Sequence, residues 1–116
     1  MEPFVLAVGE NLLRADGDIL EVFDSHWDVS FRVPLAWLGV NPIPQRSQLM
    51  LRVGTAIPVG RVLYGPDVRV IGGNRLVFVS WADEPAVRAF FGQIADHVGR
   101  LMKPLQRAFL PRHRRP

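Results

Sequence analysis

Cysteine is absent from the 116-residue chain. Its absence excludes disulfide bonds, thiolate nucleophiles and zinc sites built on cysteine, and it is typical of the reducing cytosol. The first residues, Met-Glu-Pro-Phe, lack the basic stretch that opens a secretory signal peptide. We therefore expect a cytoplasmic location, with contact to a membrane surface left open.

Long hydrophobic runs are also missing. The longest apolar run near the N-terminus, residues 4–8, is far shorter than the roughly 20 residues that span a bilayer. Hydrophobic residues still make up 48% of the chain, enough for a core in a single domain of ordinary size. This composition predicts one globular domain.

Recognisable catalytic motifs are missing too. The sequence has no Gly-x-Ser-x-Gly elbow. Serine, histidine and aspartate residues are present, but no motif indicates that they form a catalytic triad. One cluster, Asp24-x-His26-x-Asp28, has metal-ligand residue types that would share a face of an extended segment. We favour a solvated polar turn instead, because short polar clusters between strands are common. We therefore predict no enzyme activity, no metal and no cofactor, and no small-molecule substrate is evident.

Basic charge is unevenly distributed. Six basic residues and no acidic one lie in residues 100–116, which leaves eight basic and eleven acidic residues in the rest of the chain. The net charge of +3 therefore comes from a tail on a mildly acidic body. This tail indicates either an electrostatic contact with anionic lipid or nucleic acid, or a solvated, flexible terminus, and we favour the flexible terminus.

Short strands separated by turn signals fill the first two-thirds of the chain. The pattern predicts strands at residues 11–15, 19–23, 29–38, 49–53, 56–63, 68–71 and 75–79. Residues 4–8 are either a further short strand or a packing segment, and residues 39–47 read as a loop. Gly72-Gly73-Asn74 predicts a hairpin turn between the last two strands.

Two features refine these strands. Pro34 cannot donate an amide hydrogen bond, so its strand must lie at a sheet edge or be bulged there. Such an edge could pair with a peptide strand. Trp37 and Trp81 stand in apolar stretches and are predicted to be core residues, whereas Trp27, in a polar turn, is expected to be partly exposed.

A helix closes the pattern. Val87, Phe90, Phe91, Ile94 and Val98 recur at helical spacing, which predicts an amphipathic helix over residues 83–101 that buries this stripe. Asp83 is the predicted N-cap, and Pro104 is expected to end or kink the helix.

Together these elements predict a mostly β (α+β) fold, a seven-stranded antiparallel partly closed barrel with one C-terminal capping α-helix. This plan, with the stretch Phe-Arg-Val-Pro-Leu-Ala-Trp-Leu at residues 31–38 and Asp-Glu-Pro at 83–85, resembles small bacterial pleckstrin-homology-like domains. The similarity covers most of residues 10–101, so we expect one such domain over residues 1–102. The charge distribution adds a basic, flexible tail over 103–116.

Binding by the usual lipid site of that family is not expected. Family members that bind phosphoinositides carry basic residues in the first strand turn, where this chain has Ala-Asp-Gly-Asp at 15–18. The sequence therefore favours a non-catalytic adaptor that binds another protein or a second copy of itself. The alternative is an anionic-surface binder acting through the tail, and nucleic acid is disfavoured. The candidate binding residues are Trp27, Arg32, Arg107, Arg112, Arg114 and Arg115.

Overall fold

The computed structural model describes residues 3–25, 29–56 and 63–109, and their side chains except at positions 29, 30 and 101–109. The fold is mostly β, with a four-stranded and a three-stranded antiparallel sheet and one C-terminal helix. The first sheet contains β1 (Phe4–Val8), β2 (Asn11–Asp16), β3 (Ile19–Phe23) and β4 (Val29–Pro34). The second contains β5 (Leu38–Pro44), β6 (Leu49–Ala56) and β7 (Val70–Val79).

The first sheet is a meander whose strands follow chain order. Tight turns at Gly9 and Gly17 join β1 to β2 and β2 to β3, and both glycines have positive φ, at 54° and 65°. Glycine adopts this conformation without the steric penalty that a Cβ brings. The predicted strands at 11–15 and 19–23 are confirmed, and residues 4–8 form a strand.

The predicted strand over residues 29–38 ends earlier, at Pro34. A one-turn 3-10 helix at Leu35–Trp37 follows, and the Leu35 amide donates to the Asp18 carbonyl at 2.7 Å. β4 is an edge strand of its sheet, which confirms the position that Pro34 predicts.

The predicted loop over residues 39–47 is wrong for most of its length, because β5 continues to Pro44. The backbone of Val40 is hydrogen-bonded to Leu63 and Gly65, on the side away from β6. Residues two apart on a strand direct their backbone groups to the same side. Pro42 and Pro44 therefore stand where no amide is needed for pairing with β6, so the sheet tolerates both.

The predicted hairpin at Gly72-Gly73-Asn74 is also wrong. β7 runs unbroken through these residues, so the two predicted strands at 68–71 and 75–79 form one strand that starts at Val70. Asn74 pairs with Gly54 while Ile71 pairs with the next residue on β6, so Gly72 and Gly73 bulge out. The φ of 71° at Gly72 accommodates the bulge. Most of the predicted strand 56–63 lies outside the described residues.

The C-terminal helix α1 runs over Glu84–Phe109. A 3-10 turn at Trp81–Asp83 precedes it, and there the Ser80 side chain, not Asp83, accepts the capping hydrogen bond, from the Ala82 amide. The helix is also longer than predicted. The sequence predicts an end at about residue 101, before Pro104, but α1 continues through Pro104 to Phe109. Its apolar stripe is confirmed as core: Val87, Phe90, Phe91 and Ile94 are buried, and Val98 packs against them.

Strand pairing among the described residues gives two separate sheets and no single closed one. The sheets approach each other where the β1–β2 turn meets β7. A Cβ added to Gly9 would lie 2.7 Å from the Phe78 carbonyl oxygen, so only glycine fits at this contact.

In the described part of the chain, no helix is both long and apolar enough to cross a membrane.

Candidate functional site

The sequence-predicted binding residues do not form a cluster. Arg32 is exposed on β4, where its Nε donates to Glu21 at 3.0 Å. Arg107 lies on the backbone of α1. The remaining candidates lie outside the described residues: Trp27, Arg112, Arg114 and Arg115. Of the Asp24-x-His26-x-Asp28 cluster only Asp24 is among the described residues, and His26 and Asp28 lie outside them. No group of three side chains that could hold a metal ion occurs among the described residues.

Two tryptophans that the sequence assigns to the core are instead at the surface. Trp37 is 57% exposed and Trp81 is 42% exposed. Both stand in one-turn 3-10 helices at the ends of strands, so neither has an inward strand position. Leu35, the first residue of the first turn, and Leu38, which follows that turn, are the residues that enter the core.

Trp81 borders an apolar groove of about 500 Å³, between the end of β5, the segment of residues 63–66 and the start of α1. This volume is in the usual range for ligand pockets. The lining consists of rings and apolar side chains with one ion pair at the rim: Pro42, Pro44, Leu49, Tyr64, Gly65, Pro66, Trp81, Glu84 and Arg88. We call this feature the Tyr64–Trp81 groove.

One wall of the groove is fixed by backbone hydrogen bonds to β5. The Val40 amide donates to the Leu63 carbonyl at 2.8 Å, and the Gly65 amide donates to the Val40 carbonyl at 3.1 Å. The Asn41 side-chain amide donates to the Val68 carbonyl at 2.8 Å, which holds the far end of the same segment. This wall therefore has little freedom to move.

Tyr64 is fixed at both ends of its side chain. Its ring stacks on the buried Phe91 ring with centroids 5.7 Å apart and planes 15° from parallel. Its hydroxyl donates to Glu84 Oε2 at 3.0 Å. Burial, the hydrogen bond and the negative charge of Glu84 raise the pKa of the Tyr64 phenol well above its usual range. Tyr64 therefore stays a neutral hydrogen-bond donor at physiological pH.

The Glu84 carboxylate, which accepts from Tyr64, also forms an ion pair with Arg88 one helical turn later. Arg88 Nε donates to Glu84 Oε2 at 3.2 Å, and its terminal nitrogen pairs with Oε1. The Glu84 side chain is only 15% exposed, whereas that of Arg88 is 68% exposed. Arg88 is consequently the member of this ion pair that solvent, or a partner, can reach.

Trp81, the second aromatic residue of the lining, is also held in place. Its indole Nε1 donates to the Gln45 carbonyl at 3.3 Å, which ties the start of the helix to the β5–β6 turn. Gln45 is itself fixed, since its amide donates to the Gln48 carbonyl at 3.0 Å. The two aromatic side chains of the groove are thus oriented before any partner arrives.

A second cleft of similar volume lies near the β1–β2 turn and β7, and it is polar. Its lining includes the acidic Glu10 and Asp24, the basic Arg75 and the exposed Phe78. In the described part of the chain, Arg75 Nε is buried without a hydrogen-bond partner. The cleft mixes both charge signs with few apolar side chains, so it is the weaker candidate for binding.

Sequence reasoning did not find the Tyr64–Trp81 groove. Tyr64 falls in a predicted turn, the two strand prolines fall in a predicted loop, and Trp81 is predicted as core. The available signal was the position of Trp81 at the switch from strand to helix periodicity, where an aromatic residue need not face inward. No family model, curated protein or solved structure matches the chain.

Proposed function

We propose that this protein is a non-catalytic binding module that engages another protein through the Tyr64–Trp81 groove. The observation that carries the proposal is an apolar, ring-lined groove whose two aromatic side chains are fixed by Glu84 and by the Gln45 carbonyl. Such a groove offers a partner apolar area together with a defined orientation.

The residue types support protein binding. Tryptophan, tyrosine and arginine are enriched among the residues that dominate interface energies, and all three line this groove. Pre-oriented side chains lose little conformational entropy on binding, so more of the contact energy appears as affinity. The 42% exposure of Trp81 is then surface that a partner can cover.

We infer a partly closed barrel of the pleckstrin-homology-like kind, in a bacterial cytoplasmic protein. Sheets of four and three antiparallel strands followed by a helix support it, as does the close approach of Gly9 to the Phe78 carbonyl.

A second candidate is binding to an anionic surface such as a lipid bilayer. Helix α1 reaches Phe109, so Arg100, Lys103 and Arg107 follow one another on helical backbone, with no acidic residue after Asp96. Basic segments of this kind attract anionic lipid at low ionic strength.

The test is a pull-down from native lysate with the wild type, Trp81→Ala and Trp37→Ala, each at low and high salt. The two tryptophans are similarly exposed, but only Trp81 lines the groove. We expect partners to be retained in high salt by the wild type and Trp37→Ala, and lost by Trp81→Ala. Equal retention by both variants would refute the groove, and loss of all binding in high salt would favour the basic helix.

A further inference from the structure

The backbone around the Tyr64–Trp81 groove restricts what can occupy it. Pro42 and Pro44 share the strand phase of Val40, whose amide and carbonyl point away from β6. A strand that paired with this edge would need amide donors at those positions, and proline has none. The groove therefore disfavours a partner that adds a β-strand, and binding must rely on side-chain surfaces.

The surfaces that remain are flat and rigid. Tyr64 and Trp81 supply aromatic rings, and Pro42, Pro44 and Pro66 supply stiff pyrrolidine rings. Aromatic-lined grooves are the usual receptors for polyproline II segments, which need no internal hydrogen bonds and lose little entropy on binding. An extended proline-rich segment matches this lining.

Charge adds a second requirement. Arg88 is 68% exposed at the rim, whereas the carboxylate of Glu84 is largely enclosed by Tyr64 and Arg88. A carboxylate on the partner would meet Arg88, and a basic residue would be repelled by it.

We propose that the Tyr64–Trp81 groove binds a proline-rich peptide segment in the polyproline II conformation, with an acidic residue beside the prolines. The inference rests on the proposed function and names the class of partner. Prolines pack on the two aromatic rings, and the acidic residue pairs with Arg88.

Fluorescence polarisation of three labelled synthetic peptides tests this directly. The probes are decaproline flanked by two aspartates, decaproline flanked by two lysines, and a proline-free Gly-Ser-Ala peptide flanked by two aspartates. We expect the acidic decaproline to bind best to the wild type and to Trp37→Ala. Trp81→Ala should weaken it about 30-fold, the effect of losing a central interface tryptophan. Equal binding of the proline-free peptide would overturn the inference.

Arg88→Gln tests the charge requirement separately. It should reduce the preference for aspartate over lysine flanks by about two- to fivefold, as expected for an exposed ion pair. An unchanged preference would overturn the role of Arg88. Thermal melts monitor folding, and Trp81→Leu, which keeps apolar bulk without the ring, replaces Trp81→Ala if the latter unfolds.

Selection from a random peptide display library separates this inference from the proposed function. Enrichment of proline-rich, acidic peptides that depends on Trp81 supports both. Proline-free peptides that depend on Trp81 would overturn the inference and leave the groove as a binding site. Enrichment that is the same for the wild type and Trp81→Ala would overturn both.

Discussion

The Tyr64 hydroxyl donates a hydrogen bond to the Glu84 carboxylate at 3.0 Å. This bond ties the segment that covers the edge of β5 to the first turn of α1. Since the Tyr64 ring also stacks on Phe91, the groove wall is continuous with the hydrophobic core. The proposed binding surface and the stability of the fold therefore share residues.

Tyr64→Phe removes the hydroxyl and keeps the ring. We expect a loss of about 1–2 kcal/mol in the free energy of unfolding, because one hydrogen bond to a largely enclosed carboxylate is lost. Chemical denaturation measures it, and a double-mutant cycle with Glu84→Ala, which removes the acceptor, isolates the pair. Additive effects of the two substitutions would contradict the coupling.

Ionisation of Tyr64 should also lower the stability of the fold at alkaline pH. The pKa of its phenol is raised in the folded state, while the unfolded chain releases the proton near pH 10. Above about pH 10 the unfolded state therefore binds fewer protons than the folded state, and stability falls as pH rises. We expect this fall to be smaller in Tyr64→Phe, measured by denaturation between pH 8 and 11.

The same titration can be followed spectroscopically, since Tyr64 is the only tyrosine in the chain. Tyrosinate absorbance of the folded protein should appear well above pH 10. Its appearance near pH 10, while the fold is intact, would contradict the buried hydrogen bond.

The stripe of α1 should be structural. Phe91 is fully buried and Phe90 is nearly so, and replacing either with alanine should cost about 3–5 kcal/mol. Phe78→Ala is the matched control, because Phe78 is 44% exposed and its loss should cost about 1 kcal/mol or less. Thermal melts beside a binding assay distinguish the roles. Phe90 and Phe91 variants that melt like wild type but lose a partner would make the stripe an interface.

The contact between the β1–β2 turn and β7 can be tested with two glycines. Gly17→Ala adds a methyl group into open space at positive φ and should cost about 1–2 kcal/mol from backbone strain alone. Gly9→Ala adds the same strain and a clash with the Phe78 carbonyl. It should cost about 1–3 kcal/mol more, measured by chemical denaturation. Equal losses would mean that the two sheets do not meet there.

Sequence reasoning succeeded where one pattern dominated. The stripe from Val87 to Ile94 has a helical period and no competing signal, so its burial follows from spacing. The Asp16-Gly17-Asp18 turn is equally local, because its chemistry does not depend on distant contacts. The missing amide of Pro34 limits its strand to a sheet edge or a bulge, and the structure places it at the edge.

It failed where tertiary context decides. Gly72-Gly73-Asn74 has hairpin chemistry, but β7 pairs with β6 on both sides of it, so a bulge replaces the turn. Pro42 and Pro44 are predicted as loop residues because proline lacks an amide donor. The sequence does not show that the missing amides would lie on the side of β5 away from β6. The groove depends on the fold bringing Tyr64 and Trp81 into one lining, which no local pattern encodes.

Site-specific photocrosslinking tests the groove most directly. A photoreactive phenylalanine analogue is placed at Pro44, exposed in the groove, and in a second protein at Val5, which is 55% exposed on the other sheet. After irradiation in native lysate, mass spectrometry identifies the crosslinked peptides. We expect crosslinks from position 44 that Trp81→Ala abolishes, and none of the same products from position 5. Identical products from both positions, or products from position 44 that survive Trp81→Ala, would contradict binding in the Tyr64–Trp81 groove.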